Sequence, residues 1–213
     1  MRINIILLGA GKGQRFQASS PNQVGCDTIK QLAQINGKPL ICYSLEKLQP
    51  LLSNPLVNNL YVTLGANKNT IQAVLPQDVS IIASQHWSEG MGHTLAESVQ
   101  SIKAQSSHVL ITLADQALIT TAHYQELLDA SKSQPNKIIA TLCDEQLMVP
   151  AIFPEKYFPF LVKLQGDKGA GKLLLQHAKK ADAISYENAK IDIDTLSDLE
   201  QVRQNLERSL VNE

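Results

Sequence analysis

The sequence predicts an α/β fold, a mostly parallel central sheet with helices on both faces. Three observations predict it. Short apolar runs without polar alternation take turns with segments of helical period, the pattern of strands buried on both faces and joined by crossover helices. The first run, Ile3 to Leu8, passes at once into a glycine-rich basic turn, Gly9-Ala10-Gly11-Lys12-Gly13-Gln14-Arg15-Phe16. The chain has 213 residues and is 44% hydrophobic, enough to fill the core of one large domain.

Strands are expected over Ile3 to Leu8, Leu60 to Leu64, Val79 to Ala83, Val109 to Leu113 and Ile138 to Leu142. Between them, Pro39 to Leu52 opens with Pro at a first-turn position and places Leu40, Tyr43, Leu45 and Leu48 at helical spacing. Asn67 to Leu75, His93 to Ala104 and Thr121 to Ser133 are further helices. The segment Gln17 to Thr28 is polar, with Pro, Asn and Gly, and reads as a mobile flap. The second half is less regular. Leu147 to Phe153 is a short strand interrupted by Pro150, Glu155 to Leu164 and Ala170 to Lys179 are helices, and Ile191 to Ile193 is a short strand. Ser197 to Arg208 closes the chain as an amphipathic helix with Ser197 as its N-cap.

The formal charge of -1 gives no global basic field for nucleic acid. No window reaches the roughly 18 consecutive apolar residues of a membrane span. The N-terminal apolar run leads into a functional loop and not a cleavage site, so it reads as a strand and not a signal peptide. Cys26, Cys42 and Cys143 are odd in number and far apart, which fits reduced thiols in a cytoplasm.

Ligands of parallel sheets bind beyond the C-terminal strand ends. The Gly9 to Gly13 turn lies at that edge, where its N–H groups can cradle phosphate oxygens and Lys12 and Arg15 add positive charge. Asp115 follows the run Val109 to Leu113 at the same edge, and a carboxylate there calls for a partner such as Mg²⁺ shared with phosphates. Against this stands an ordinary turn or cap aspartate. Asp192 and Asp194 share one face of an extended segment and repel, so a cation beside them would relieve both; a solvated pair ahead of a helix fits equally. Lys30 can fold back from the flap onto the phosphates. Gly90, Gly92, His93 and Thr94 precede a helical pattern and can hold an anion or lie against a base or ribose, or form a plain capping box of Thr94 and Glu97. Gly166 to Lys172 has P-loop spacing, but Leu173 stands where Ser or Thr would bind Mg²⁺ and no clean strand precedes it.

Together the motifs resemble those of the nucleotidyltransferases related to the molybdenum cofactor guanylyl- and cytidylyltransferases. "LLGAGKGQRF", Lys30 with "GKPLICYSLEKL", "EGMGHTL", "LADQALIT", "VPAIFPEKYFPFLVKLQGDKGAGKLL" and "DIDTLSDLE" match that family's motifs in order over nearly the whole chain. Within it the chain looks most like the cytidylyltransferases. The resemblance implies a Rossmann-like nucleotidyltransferase fold over residues 1–213, with a nucleotide-binding half over about 1–115 and an acceptor-binding half over about 116–213. It implies transfer of a nucleoside monophosphate to a molybdopterin phosphate with release of pyrophosphate. Arg15, Lys30 and Asp115 would be catalytic; Leu8, Gly9, Ala10, Gly11, Gly13, Gly90, Gly92 and Thr94 would join Arg15 and Lys30 in binding the nucleotide. Asp115 and Asp194, with Asp192 beside them, would hold Mg²⁺, and Gly166, Asp167 and Gly169 would face the acceptor. Ala10, where guanylyl enzymes carry Gly, favours CTP. The implied setting is a cytoplasmic enzyme in transient contact with a molybdenum-dependent oxidoreductase, with no nucleic-acid or membrane partner. A guanylyltransferase, a cytidylyltransferase for a sugar or polyol phosphate, and a cofactor-carrying chaperone are the alternatives. The chain departs from the pattern at Gly9, where Ala is usual, at Ala117 and Leu196, where Pro is common, at Met148 or Val149, where Gly is common, and in its longer flap.

Overall fold

The first strand, β1 (Ile3–Leu8), is buried along its whole length, which is why its sequence shows no alternation. The computed structural model describes residues 1–19 and 29–211. In it β1 leads to α1 (Gln14–Ala18), a two-residue hairpin of β2 (Gln34–Ile35) and β3 (Lys38–Pro39), and α2 (Leu40–Leu48). Then come β4 (Val57–Leu64), α3 (Lys68–Gln72), β5 (Ser80–Ala83), α4 (Met91–Ile102), β6 (His108–Leu113) and α5 (Thr121–Ser133). The chain closes with β7 (Ile138–Cys143), β8 (Gln146–Pro154), α6 (Phe158–Leu161), α7 (Ala170–His177), β9 (Ala181–Ser185) and α8 (Leu196–Val211). The large sheet has seven strands in the order β5-β4-β1-β6-β8-β7-β9, with β8 alone antiparallel to its neighbours.

Alternate side chains of β1 feed two cores. Ile3, Ile5 and Leu7 pack with Ile41 and Leu45 of α2 and Leu127 of α5, whereas Ile6 and Leu8 pack with Leu95 and Val99 of α4 and Leu161 of α6. The expected α/β sandwich is therefore what forms. A third cluster seats Phe16 of α1 and Leu199 of α8 against Ile35, Leu40 and Ile193.

Several local expectations are corrected. β8 runs through Pro150, because a register shift opposite Ala140 and Thr141 leaves Val149 and Pro150 unpaired and no ladder N–H is missed. The helix expected over Glu155 to Leu164 shrinks to a 3-10 turn and α6, since Pro159 sits in its first turn. Ile191 to Ile193 forms no strand; Ile193 only donates its N–H to the Asp115 carbonyl at 3.1 Å. The helix expected to reach Lys179 ends at His177 and passes through a 3-10 turn, Ala178–Lys180, into β9, a half-buried edge strand that no apolar run announces. Thr94 and Glu97 make no capping box, because Glu97 binds the segment before α4 instead. Thr195, not Ser197, caps α8. Most of the expected flap, with Cys26, lies outside the described residues, while Gln17 and Ala18 end α1.

Candidate active site

β1 ends at a cleft of about 630 Å³ along the C-terminal strand edge. The turn after β1 is held open from behind. Gly9 donates its N–H to the Thr63 carbonyl at 3.0 Å, and the Ala10 carbonyl accepts from Ala66 N–H at 2.9 Å. The Gln31 amide donates to the carbonyls of Gly9 at 2.9 Å and Gly11 at 2.7 Å. With those carbonyls engaged, the N–H groups of Ala10, Gly11 and Lys12, three residues that line the cleft, have no acceptor among the described residues. Such a run of free amides is what an anion needs. Gly13 has φ +68°, and a Cβ there would stand 2.9 Å from the Lys30 Cβ, so both conformation and contact require glycine.

Lys30 opens a 3-10 turn (Lys30–Leu32) against this loop. Its Nζ lies 2.5 Å from Asp115 Oδ2 and 3.2 Å from Asp194 Oδ1, and Arg15 reaches Asp194 Oδ2 at 2.9 Å. Residues from four distant stretches thus meet at one point. The bond from Ile193 N–H to the Asp115 carbonyl brings the last stretch in, and Gln116 helps by donating to the carbonyls of Val149 and Ala189. Burial alone would lower the Lys30 ammonium, but the charges of Asp115 and Asp194 outweigh it and hold its pKa above the usual lysine value. Asp192 lines the same cleft; burial, then repulsion from Asp115 and Asp194, pushes its carboxyl up to about 7. Asp115 Oδ1 is buried with no hydrogen-bond partner among the described residues. The unpartnered Asp115 oxygen, with Asp194 across Lys30 and Asp192 in the same cleft, offers oxygen ligands of the kind a hard divalent cation takes.

Of the expected nucleotide-binding residues, Leu8, Gly9, Ala10, Gly11, Gly13, Arg15, Lys30, Gly90 and Thr94 line the cleft. Gly92 does not; it donates its N–H to the Gly166 carbonyl at 2.7 Å. Of the expected acceptor residues only Asp167 lines the cleft. Gly166 abuts Gly90, where φ is +115° and a Cβ would stand 2.4 Å from the Gly166 carbonyl carbon, and Gly169 lies under Met91. No strand leads into Gly166 to Lys172, so it is not a P-loop. Sequence reasoning missed Gln31, which looks like a solvated residue in a short turn, and Trp87, which lines the cleft from the 3-10 turn Trp87–Glu89.

A glycine-rich turn with unpaired amides, two cations and acidic residues lining one cleft beyond the strand ends fits the class of nucleotidyltransferases. The MobA-like NTP transferase domain matches residues 5–181, and the chain belongs to that family. Among curated relatives, the bifunctional protein GlmU of Francisella philomiragia is 31% identical over 121 residues, 57% of this chain but 24% of that protein. GlmU of Legionella pneumophila strain Philadelphia 1 is 31% identical over 132 residues, 62% of this chain and 26% of its own. The chain therefore spans about a quarter of the length of these relatives. The fold is shared with Rv0371c of Mycobacterium tuberculosis H37Rv, with a TM-score of 0.78 at 19% identity over 95% of this chain and 97% of that one. It is shared too with the molybdopterin-guanine dinucleotide biosynthesis protein A of Archaeoglobus fulgidus, with a TM-score of 0.64 at 14% identity over 98% and 100% of the two chains.

Proposed function

We propose that this nucleotidyltransferase moves CMP from CTP to the terminal phosphate of a molybdopterin-type acceptor and releases pyrophosphate. The observation that carries the choice of base is Ala10. It follows the end of β1, lines the cleft and is 4% exposed, and on this reading its methyl limits the room for a purine where a glycine would not. The molybdopterin acceptor rests on the ordered motifs of the sequence. Residues 1–213 read as one domain in which roughly the first 115 residues serve the nucleotide, while Asp167 faces the acceptor and Gly166 and Gly169 act behind it, by letting its segment pack against Gly90 and Met91.

The chemistry asks the protein to position and to neutralise, with no covalent step on a side chain. Amides of Ala10, Gly11 and Lys12 hold the triphosphate. Arg15 and Lys30 release their carboxylate partners and turn toward the phosphates, where they stabilise the charge that moves to the departing pyrophosphate. Asp115 and Asp194, with Asp192 beside them, would hold Mg²⁺, which supplies compensation for phosphate charge when bound. A manganese complex of Rv0371c supports a divalent ion in this fold.

A guanylyl donor is the second reading, favoured by the named role of the Archaeoglobus neighbour. Pyrophosphate release with CTP, GTP, ATP and UTP, each with a molybdopterin acceptor and with sugar phosphates, tests both. Turnover with CTP and the pterin is expected. Preference for GTP sinks the reading of Ala10, and turnover only with a sugar phosphate sinks the acceptor.

A further inference from the structure

The cleft has two unlike ends. Arg15, Lys30, Asp115 and Asp194 gather past β6, on one side of β1. On the other side, past β4, the chain turns at Gly65 and the only tryptophan of the sequence, Trp87, leans over that turn. A Cβ on Gly65 would stand 2.4 Å from Trp87 Cβ and Cγ and 2.9 Å from the Ala10 carbonyl oxygen. The lack of a side chain at 65 is thus what lets Trp87 lie so close to the β1 loop, next to Ala10.

Trp87 is also held in place before any ligand arrives. The Glu97 carboxylate of α4 accepts from the Ser84 hydroxyl, from the N–H groups of Gln85 at 3.0 Å and His86 at 3.2 Å, and pairs with the His86 ring at 2.6 Å. Three consecutive residues ahead of Trp87 are therefore tied to one helix. Yet Trp87 itself is half-buried and lines the cleft, and among the described residues its indole has no ring or hydrogen-bond partner.

A nucleoside triphosphate laid along the strand ends puts its phosphates at the cations, and its base then falls on the β4 side. We infer that Trp87 is the nucleobase platform of this chain, its indole stacking on the base beside Ala10. Stacking on an aromatic face is strong and tolerant of base identity, so Trp87 supplies affinity while the Ala10 methyl limits size. The inference rests on the nucleotidyltransferase reading of the cleft but not on the choice of CTP.

A single tryptophan makes the test direct. Its emission in the intact protein is titrated with CTP, GTP and inorganic tripolyphosphate, and binding is followed in parallel by thermal shift. Both nucleotides that bind are expected to change the emission saturably, and tripolyphosphate, which fills only the cation end, leaves it unchanged. Trp87→Ala is expected to weaken nucleotide binding roughly tenfold while leaving tripolyphosphate binding as it was, and Trp87→Phe to keep most of the affinity. Should Trp87→Ala fail to fold, the wild-type titration and Trp87→Phe still decide. An equal emission change with tripolyphosphate, no change with any nucleotide, or unaltered nucleotide affinity in a folded Trp87→Ala overturns the assignment. Equal responses to CTP and GTP through Trp87 would defeat the proposed base preference and leave the platform standing.

Discussion

Asp115 has one carboxylate oxygen shared with Lys30 and one buried with no partner among the described residues. Asp115→Asn keeps the shape and removes the charge that both Lys30 and a metal need. Turnover is expected to drop roughly a hundredfold, the typical loss of about 3 kcal/mol for one charge-stabilising group. Pyrophosphate release at saturating divalent metal measures it, and unchanged turnover takes Asp115 out of the reaction. Gln31 acts one step back, as a positioning residue. Its amide points two carbonyls of the loop away from the cleft, so Gln31→Glu, which cannot donate there, should raise KM for the nucleotide and lower stability by about 1–3 kcal/mol. A lowered Tm with KM unchanged would mean that Gln31 only holds the fold. Motif spacing in the sequence brings out Asp115 but not Gln31, because a side chain that serves backbone carbonyls leaves no chemical signature of its own.

Helix α8 begins where the site ends. Thr195 and Asp198 cap it reciprocally, the Thr195 hydroxyl accepting from Asp198 N–H at 3.2 Å and the Asp198 carboxylate from Thr195 N–H at 2.7 Å. The same carboxylate accepts from Asp194 N–H at 3.0 Å, so the cap also fixes the backbone of Asp194. Burial would raise the Asp198 carboxyl, but the Thr195 hydroxyl and the two N–H groups outweigh it and hold the pKa below the usual aspartate value. Thr195→Ala should cost about 1 kcal/mol of stability. It should also reduce turnover, through Asp194, by more than the exposed substitution Gln204→Ala does. Thermal melts and pyrophosphate release read the two effects separately; a loss in Tm alone would confine Thr195 to capping. This helix shows which elements the sequence carries plainly. Buried parallel strands such as β1 and β6 announce themselves by unbroken apolar runs. The sequence does not distinguish Thr195 from Ser197 as the cap, because the two have the same side-chain chemistry and only the chain's path from Asp194 separates them. β9 is not legible in the sequence because an edge strand that is half-buried has no apolar run to show.

At the scale of the whole molecule, stability depends on polar groups that the sheet has buried. His123 of α5 is 1% exposed; its Nε2 lies 2.8 Å from the Thr141 hydroxyl, which itself donates to the Pro150 carbonyl. Nε2 therefore donates and carries the proton, leaving Nδ1 bare, buried and 3.9 Å from Glu126. His108 sits at 6% exposure against the Pro135 carbonyl. Burial pushes both imidazoles below the usual histidine value, against the weaker pull of Glu126 on His123 and of the Pro135 carbonyl on His108. A histidine with a depressed folded pKa favours unfolding once protons become available, because the unfolded chain binds them first. The native state is thus unpenalised above the ordinary histidine pKa and loses stability as pH falls through it toward the folded values. The exposed His86, raised by its bond to Glu97, works in the opposite direction, but solvent screens it. The histidine contribution to the Tm is accordingly expected to fall between about pH 7.5 and about pH 5.5, the range in which histidine titrates. Asp192, pushed up to about 7, takes up its proton over the same range and favours the native state, so the histidine effect is read as the difference between two proteins. His123→Phe keeps a ring against Tyr186, whose centroid lies 4.4 Å away, and cannot be protonated. That variant should lose fewer degrees than the wild type over the same interval. Equal losses in the two proteins would show that the packing of α5 on β7 tolerates a charged imidazole, and would shift the acid sensitivity to His108 and the carboxylates.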